Sequence, residues 1–285
     1  MVISTLAEVT IDGVARGLLL AILGTAITLV FGLGSILNIA LGAFAVLTVI
    51  VAVWATDLVV HPALGALVGL AGVAGLSLLV DRGLLSSVYR SEGEERITVG
   101  IFVTLGLEVM LAGILAVTFT SAYSVDFDSS LISLGGVRIR SSSILIIVTA
   151  AVVLTTLIVF LRRTYLGKAT RTVFQDETGA LLCGIDPRII RTLIFVTSGL
   201  LAGIAGILWS IQAPVRPGFA FTLTVFAVIV SIVGGVRDVR GTIAAGVLLG
   251  LVWTHANFWI GSSVAMVILF AVAVIVLILR PEEIS

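Results

Sequence analysis

One carboxylate interrupts an otherwise apolar run: Glu108, within Ile97–Phe119. An ionisable group in the middle of a lipid-embedded helix costs at least about 2.5–3.5 kcal/mol. Such a group faces the protein interior, is protonated, or lines a wet cavity. It can hydrogen-bond a neighbouring helix, or it can meet a polar solute or a proton on a transport path. A second polar insertion is Gly32-Leu-Gly-Ser-Ile-Leu-Asn38-Ile-Ala-Leu-Gly42, inside the charge-free stretch 17–56. Two readings fit it. One is a helix broken at membrane depth, with Asn38, Gly34 and Gly42 shaping a substrate path. Irregular backbone at that depth is tolerated only where it is buried in protein or lines a cavity. The other is a plain turn at the membrane face.

The segment 162–191 is rich in charge and carries its own punctuation. Asp176 is placed to cap a short helix and Gly184 to end it in a left-handed residue. Asp186-Pro187 then reads as the N-cap and first residue of the next helix. In and beside this segment, Phe174, Leu181, Leu182 and Ile185 share one face. That pattern suits an amphipathic helix lying on lipid headgroups, or one docking a soluble partner. A fourth feature, Gly234-Gly235-Val236-Arg237-Asp238-Val239-Arg240-Gly241, reads as a tight, charged stop between spans.

Other chemistries lack their residues. No phosphate loop of the Gly-x-x-x-x-Gly-Lys-Ser/Thr type is present. ATP, if it drives this protein, is therefore expected on a separate chain, with no cofactor in this one. His61 and His255 have no partners at metal-ligand spacing, and no metal site is expected. No nucleophile–base pair marks an enzyme. Cys183 is the single cysteine, which excludes an internal disulfide.

The elements that hold these residues follow from composition. Hydrophobic residues make up 59% of the 285, charged residues 11%, and the mean hydropathy is +1.28. Soluble domains carry about 25% charged residues, so the chain cannot cover a water-facing globule. The net charge is zero, which argues against a nucleic-acid partner. The expected fold is all-α: a polytopic membrane bundle of eight to nine helices. One helix is broken and one short helix lies at the cytoplasmic face, all in a single domain, 1–285.

Charge-free runs place the spans. Residues 17–56 hold two, with a turn near Gly32–Asn38. Further spans are Pro62–Val80, Ile97–Phe119, Ser141–Leu161, Thr192–Ala213 and Phe219–Val236. Gly241–Leu279 has room for two, with a break near His255–Ser262. Segments 82–96, 162–191, 237–240 and residue 280 hold 12 of the 16 basic residues. The positive-inside rule puts them in the cytoplasm, with the C-terminus. The first 16 residues lack a basic cluster and do not read as a signal peptide. Gly13/Gly17, Gly65/Gly69, Gly199/Gly203 and Gly246/Gly250 are small-residue pairs suited to close helix packing.

These motifs together resemble the permease subunits of branched-chain amino acid ABC transporters, including those that serve urea and short amides. Thr28-Leu-Val-Phe-Gly32 and Ile36-Leu-Asn38-Ile-Ala40-Leu-Gly42 are similar to the family's Thr-x-x-Tyr-Gly and Ile-Asn-Phe-Ala-His-Gly-Glu. Gly167-Lys-Ala-Thr-Arg171, Asp176, and Ala180-Leu-Leu-Cys-Gly184-Ile-Asp186 resemble its Gly-Arg-x-x-Arg, Asp and Ala-x-Leu-Leu-Gly-Ile-Asn. Ala202-Gly-Ile-Ala-Gly206, Pro217, Phe226, Gly234-Gly235, Gly241 and the closing Leu279-Arg280-Pro281 extend the likeness over nearly the whole chain.

The resemblance implies an importer subunit in a prokaryotic plasma membrane. Its partners would be ATP-binding subunits, a second permease chain and an extracytoplasmic solute-binding protein. It also favours docking for residues 174–185 as a coupling helix, with Asp176, Ala180, Leu182 and Gly184 in the handle and Arg171 near the partner. Three departures stand out. The family's His and Glu after Asn38 are absent, Glu108 stands where many relatives carry Gln, and charge replaces Gly, Ser and Pro in the 234–241 turn. Two other classes remain as competitors. One is an ion-coupled secondary transporter with Glu108 as proton site. The other is a structural subunit with no cavity near 38 or 108.

Overall fold

Backbone groups in lipid must find partners within the chain, and the computed structural model meets this almost wholly with helices. The structure describes residues 2–34, 36–59, 61–89, 93–126, 130–134 and 137–279. The long helices are α1 (Val2–Gly34), α2 (Leu41–Val59), α3 (Pro62–Val80), α5 (Gly93–Thr118) and α6 (Ser141–Arg163). They continue with α9 (Pro187–Gln212), α10 (Ala220–Gly234), α11 (Val239–Ile260) and α12 (Ser262–Leu279). Among the described residues eight helices are long and apolar enough to cross a membrane, and α12 carries a shorter apolar core. A π-helical stretch, Asp81–Leu85, joins α3 to the short α4 (Ser86–Val88). Two short helices, α7 (Tyr165–Gln175) and α8 (Glu177–Leu182), join α6 to α9.

Helices α1, α2 and α9 form the core, and α3, α5, α6 and α11 surround them. The small-residue pairs make these approaches possible. Helix α1 runs against α11, with Gly17 on Val247 and Gly246 on Ala21. A methyl added at Gly246 would lie 2.5 Å from the Ala21 Cα. Gly250 sits directly against the Gly17 backbone. Gly65 and Gly69 seat α3 on α2, and Gly203 and Gly206 seat α9 on Thr48 and Ala45. A hydroxyl cluster adds to this: Thr28 hydrogen-bonds Ser231 at 2.8 Å and Thr242 at 2.9 Å, tying α1 to α10 and α11.

Three expectations need correction. The first helix begins at Val2, not near residue 17, because its charges find partners. Glu8 accepts the Arg138 N–H at 2.8 Å, Asp12 accepts the Ser143 hydroxyl at 2.6 Å, and the Arg16 guanidinium lies over the Trp253 ring. Residues 174–185 are not one helix. The chain turns extended at Asp176 (φ −153°), so Phe174 belongs to α7, whose N-cap Thr164 accepts the Gly167 N–H. The polar stretch 120–142 contains an unforeseen antiparallel hairpin, β1 (Leu131–Leu134) with β2 (Val137–Arg140), pairing Ile132 with Ile139. The break between α11 and α12 falls at Gly261 (φ 101°), inside the expected window. Arg90, Arg280 and Pro281, and Ser35 in the first motif, lie outside the described residues.

Candidate functional site

Between α1 and α2 the helix stops. Gly34 is the last residue of α1, and residues 36–40 are irregular. This segment runs beside the middle of α5, not at its end. Ile36 packs on Gly100, the Thr104 hydroxyl donates to the Leu37 carbonyl at 2.7 Å, and Ala43 N–H donates to Glu108 Oε2 at 3.3 Å. Thr104 lies 11 residues into a 26-residue helix, about 16 Å along its axis. The break is therefore at membrane depth. Ile36, Asn38, Ala40 and Leu41 are all buried in protein.

Side chains from other helices take over the freed backbone groups. Thr224 on α10 accepts the Gly42 N–H at 2.8 Å and donates to the Ile39 carbonyl at 2.9 Å. Glu108 faces the N-terminal turn of α2, where a carboxylate is favoured by the exposed N–H groups and the helix dipole. Asn38, Gly42 and Glu108 are thus brought together, with Gly34 at the edge of the break. Thr104 and Thr224 were missed. A threonine in an apolar span is a faint signal, because most donate back to their own helix.

The break holds polar capacity it does not use. Asn38 is 0% exposed and both its side-chain polar atoms lack a partner; Glu108 is 2% exposed and its Oε1 lacks one. A buried unsatisfied polar group costs about 1–3 kcal/mol. Neither residue lines the cavities of about 580, 710 and 260 Å³ that open on the bundle. The break is closed in this conformation. Thr224→Val is expected to cost about 2 kcal/mol, because two buried backbone groups lose their partner at once. Thr224→Ser is expected to stay within about 0.5 kcal/mol of the parent. Thermal melting of the detergent-solubilised chain checks both.

The second candidate region is α8. It ends in a Schellman motif: Ile185 N–H donates to the Ala180 carbonyl, and Gly184 N–H, at φ 78°, to that of Leu181. Asp186 caps α9 by accepting the Arg188 N–H at 2.9 Å, with Pro187 as first helical residue. Asp176 occupies the N-cap position of α8, but its carboxylate makes no capping bond. Leu182 is 86% exposed, and Leu181, Arg171 and Asp176 are exposed as well. Ala180 is 0% exposed and packs inward.

Helix α8 is also tethered, through residues not singled out from the sequence. Arg191 Nη2 donates to Glu177 Oε2 at 2.6 Å, and its guanidinium lies 5.0 Å from the Tyr89 ring centroid. The Tyr89 hydroxyl donates to Asp81 Oδ1 at 2.8 Å, and the Thr192 hydroxyl donates to Asp81 Oδ2. Burial first, and then the Asp81 charge, push the Tyr89 phenol well above its ordinary pKa, so it stays a donor. The network connects α8 through α9 to the π-helical end of α3. Glu177 is partly exposed, so the link orients more than it stabilises.

Known proteins are similar to this chain in sequence or in fold. A family profile described as "Branched-chain amino acid transport system / permease component" matches residues 9–279. The high-affinity branched-chain amino acid transport system permease protein BraD of Pseudomonas aeruginosa is 29% identical over 153 residues, 53% of this chain and 50% of BraD. LivH of Escherichia coli is 26% identical over 45% of this chain and 42% of its own length. The chain thus spans about half the length of these relatives. A probable LivH of Methanocaldococcus jannaschii is 26% identical over 86% of this chain and 79% of its own. The solved structure of PsaBC from Streptococcus pneumoniae in complex with Fab shares the fold, with a TM-score of 0.54 at 12% identity over 95% of this chain and 92% of that one. With its apolar helices and a match over nearly its full length, this multi-pass membrane protein belongs to the family of branched-chain amino acid transport permease components.

Proposed function

We propose that the chain is the membrane-spanning permease subunit of an ATP-driven importer for branched-chain amino acids or similar small polar solutes. The whole chain, 1–285, acts as one transmembrane domain. Separate ATP-binding subunits grip α8 from the cytosol. A second permease chain, identical or related, completes the channel, and an extracytoplasmic binding protein delivers solute. The membrane is the prokaryotic plasma membrane, with the C-terminus inside.

The observation that carries this reading is α8: a capped, six-residue helix with Leu182 in solvent, fused to α7 and α9 and tethered by Glu177–Arg191. A rigid stub of this kind converts closure of soluble subunits into rocking of membrane helices. The family match supports the ATP-driven reading over an ion-coupled one. Co-purification tests it: an ATP-binding subunit is expected to come down with the tagged chain from native membranes, and its absence overturns the reading.

The broken helix supplies the substrate path, with Asn38, Glu108, Gly34 and Gly42 around it. Closed here, it opens when the bundle rocks, and the idle polar atoms of Asn38 and Glu108 then meet solute. Asn38→Leu separates path from packing. It removes two unsatisfied polar atoms, so the melting temperature is expected to rise by the equivalent of about 1 kcal/mol. Uptake is expected to fall severalfold. Unchanged uptake with unchanged substrate preference removes Asn38 from the path.

A further inference from the structure

The end of the bundle opposite α8 holds a cavity of about 710 Å³, lined by Pro217 and Phe226 and reached by neither Asn38 nor Glu108. Its walls are aromatic. Trp209, Phe219, Phe226 and Trp253 contact one another in a continuous cluster, with ring centroids 5.1–6.5 Å apart. Arg16 and Arg216 both line the same cavity, the Arg16 guanidinium 4.7 Å from the Trp253 centroid. Arg16 lies inside a membrane-spanning helix. No carboxylate among the described residues lies within 4.0 Å of it, although the Asp12 charge acts on it from a distance. Asp12, one turn earlier on the same helix, spends a carboxylate oxygen on the Ser143 hydroxyl.

An arginine within a span marks a functional position by default, because its charge is costly there. Stacking on Trp253 holds the guanidinium plane while leaving its edge donors free, and those donors match a carboxylate in bidentate fashion. Aromatic walls beside such a fork suit an apolar group on the same ligand. We infer that this cavity is a binding site for an aliphatic carboxylate, with Arg16 on the carboxylate and Trp209, Phe226 and Trp253 around the hydrocarbon chain. The inference rests on the importer reading only in naming the physiological ligand: a branched-chain amino acid waiting at the mouth of the path. Its volume exceeds what one such amino acid fills, so the site is a vestibule and selects by chemistry more than by shape.

The test uses the full chain in nanodiscs, without ATPase, and follows tryptophan fluorescence. Three probes separate the groups: L-leucine, 4-methylpentanoate, which lacks the ammonium group, and isopentylamine, which lacks the carboxylate. Leucine and 4-methylpentanoate are expected to bind, and isopentylamine at least tenfold more weakly. This comparison needs no variant. Arg16→Gln is expected to weaken both carboxylates at least tenfold, and Arg16→Lys to keep part of the binding. Equal binding of amine and carboxylate, or an unchanged dissociation constant in Arg16→Gln, overturns the site. The two readings fail separately. Carboxylate binding lost in Arg16→Gln, together with no ATP-driven uptake by the reconstituted complex, keeps the site and removes the importer. Normal uptake by an Arg16→Gln complex removes the site and keeps the importer.

Discussion

Gly250→Val is expected to leave little folded chain, with a loss of about 3 kcal/mol or more. A Cβ at this position falls inside the contact distance of Gly17 Cα and N, and both are main-chain atoms of a buried helix. A flexible side chain could move aside, but a helix backbone cannot without parting α1 from α11 along its length. Overpacking a core by a methylene or two costs about 1–3 kcal/mol, and more where nothing yields. Gly75→Ala is the control, since a methyl there meets no atom within 4 Å. It is expected to melt at or slightly above the parent temperature, because alanine favours the helix. Size-exclusion profiles and melting of the two variants, side by side, check the pair. A Gly250→Val chain that melts like the parent would mean that α1 and α11 do not touch.

Leu182→Arg is expected to leave folding intact and to abolish coupling. Leu182 is 86% exposed, so an arginine there costs no packing and the melting temperature is expected to stay within about 0.5 kcal/mol of the parent. A buried apolar anchor at a protein interface contributes about 2 kcal/mol or more, roughly a thirtyfold change in affinity. ATP-driven uptake and recovery of the ATP-binding subunit are both expected to fall by at least that factor. Ala180→Arg provides the contrast. Ala180 is fully buried, so that substitution strikes folding first, and loss of uptake in it says nothing about docking. Full uptake by Leu182→Arg removes α8 as the handle.

The resemblance and the geometry meet at one position. The family pattern carries a carboxylate where this chain has Ala43. Here the carboxylate facing that backbone comes from Glu108 on another helix, with Oε2 3.3 Å from the Ala43 nitrogen. The N-terminal turn of α2 thus faces an acid although its own first turn holds none. Leu41, at the place of the family's histidine, is fully buried.

Much of the bundle was legible because lipid imposes one rule on every span. Charge-free runs located the spans after the first to within a few residues, and Gly184 and Asp186-Pro187 marked helix ends as the capping rules require. The errors fell where a tertiary partner changed the local rule. The first helix begins at Val2 because Ser143, the Arg138 backbone and Trp253 receive Asp12, Glu8 and Arg16, and no count along the chain contains those partners. Phe174 left the docking face because Asp176 takes an extended conformation between two helices.

By itself, the amino-acid order determined the class: a helical membrane bundle, where it bends, and which family its motifs resemble. Such properties are local, since hydrophobicity, capping and glycine spacing act over a few residues. Only the folded chain decided that the break at 36–40 lies at membrane depth, that Thr104, Thr224 and Glu108 cap it, and that Arg16 faces an aromatic cavity. Each of these joins residues from 65 to more than 230 positions apart. Such distant pairs meet only when whole helices pack, and no short-range rule specifies which faces do.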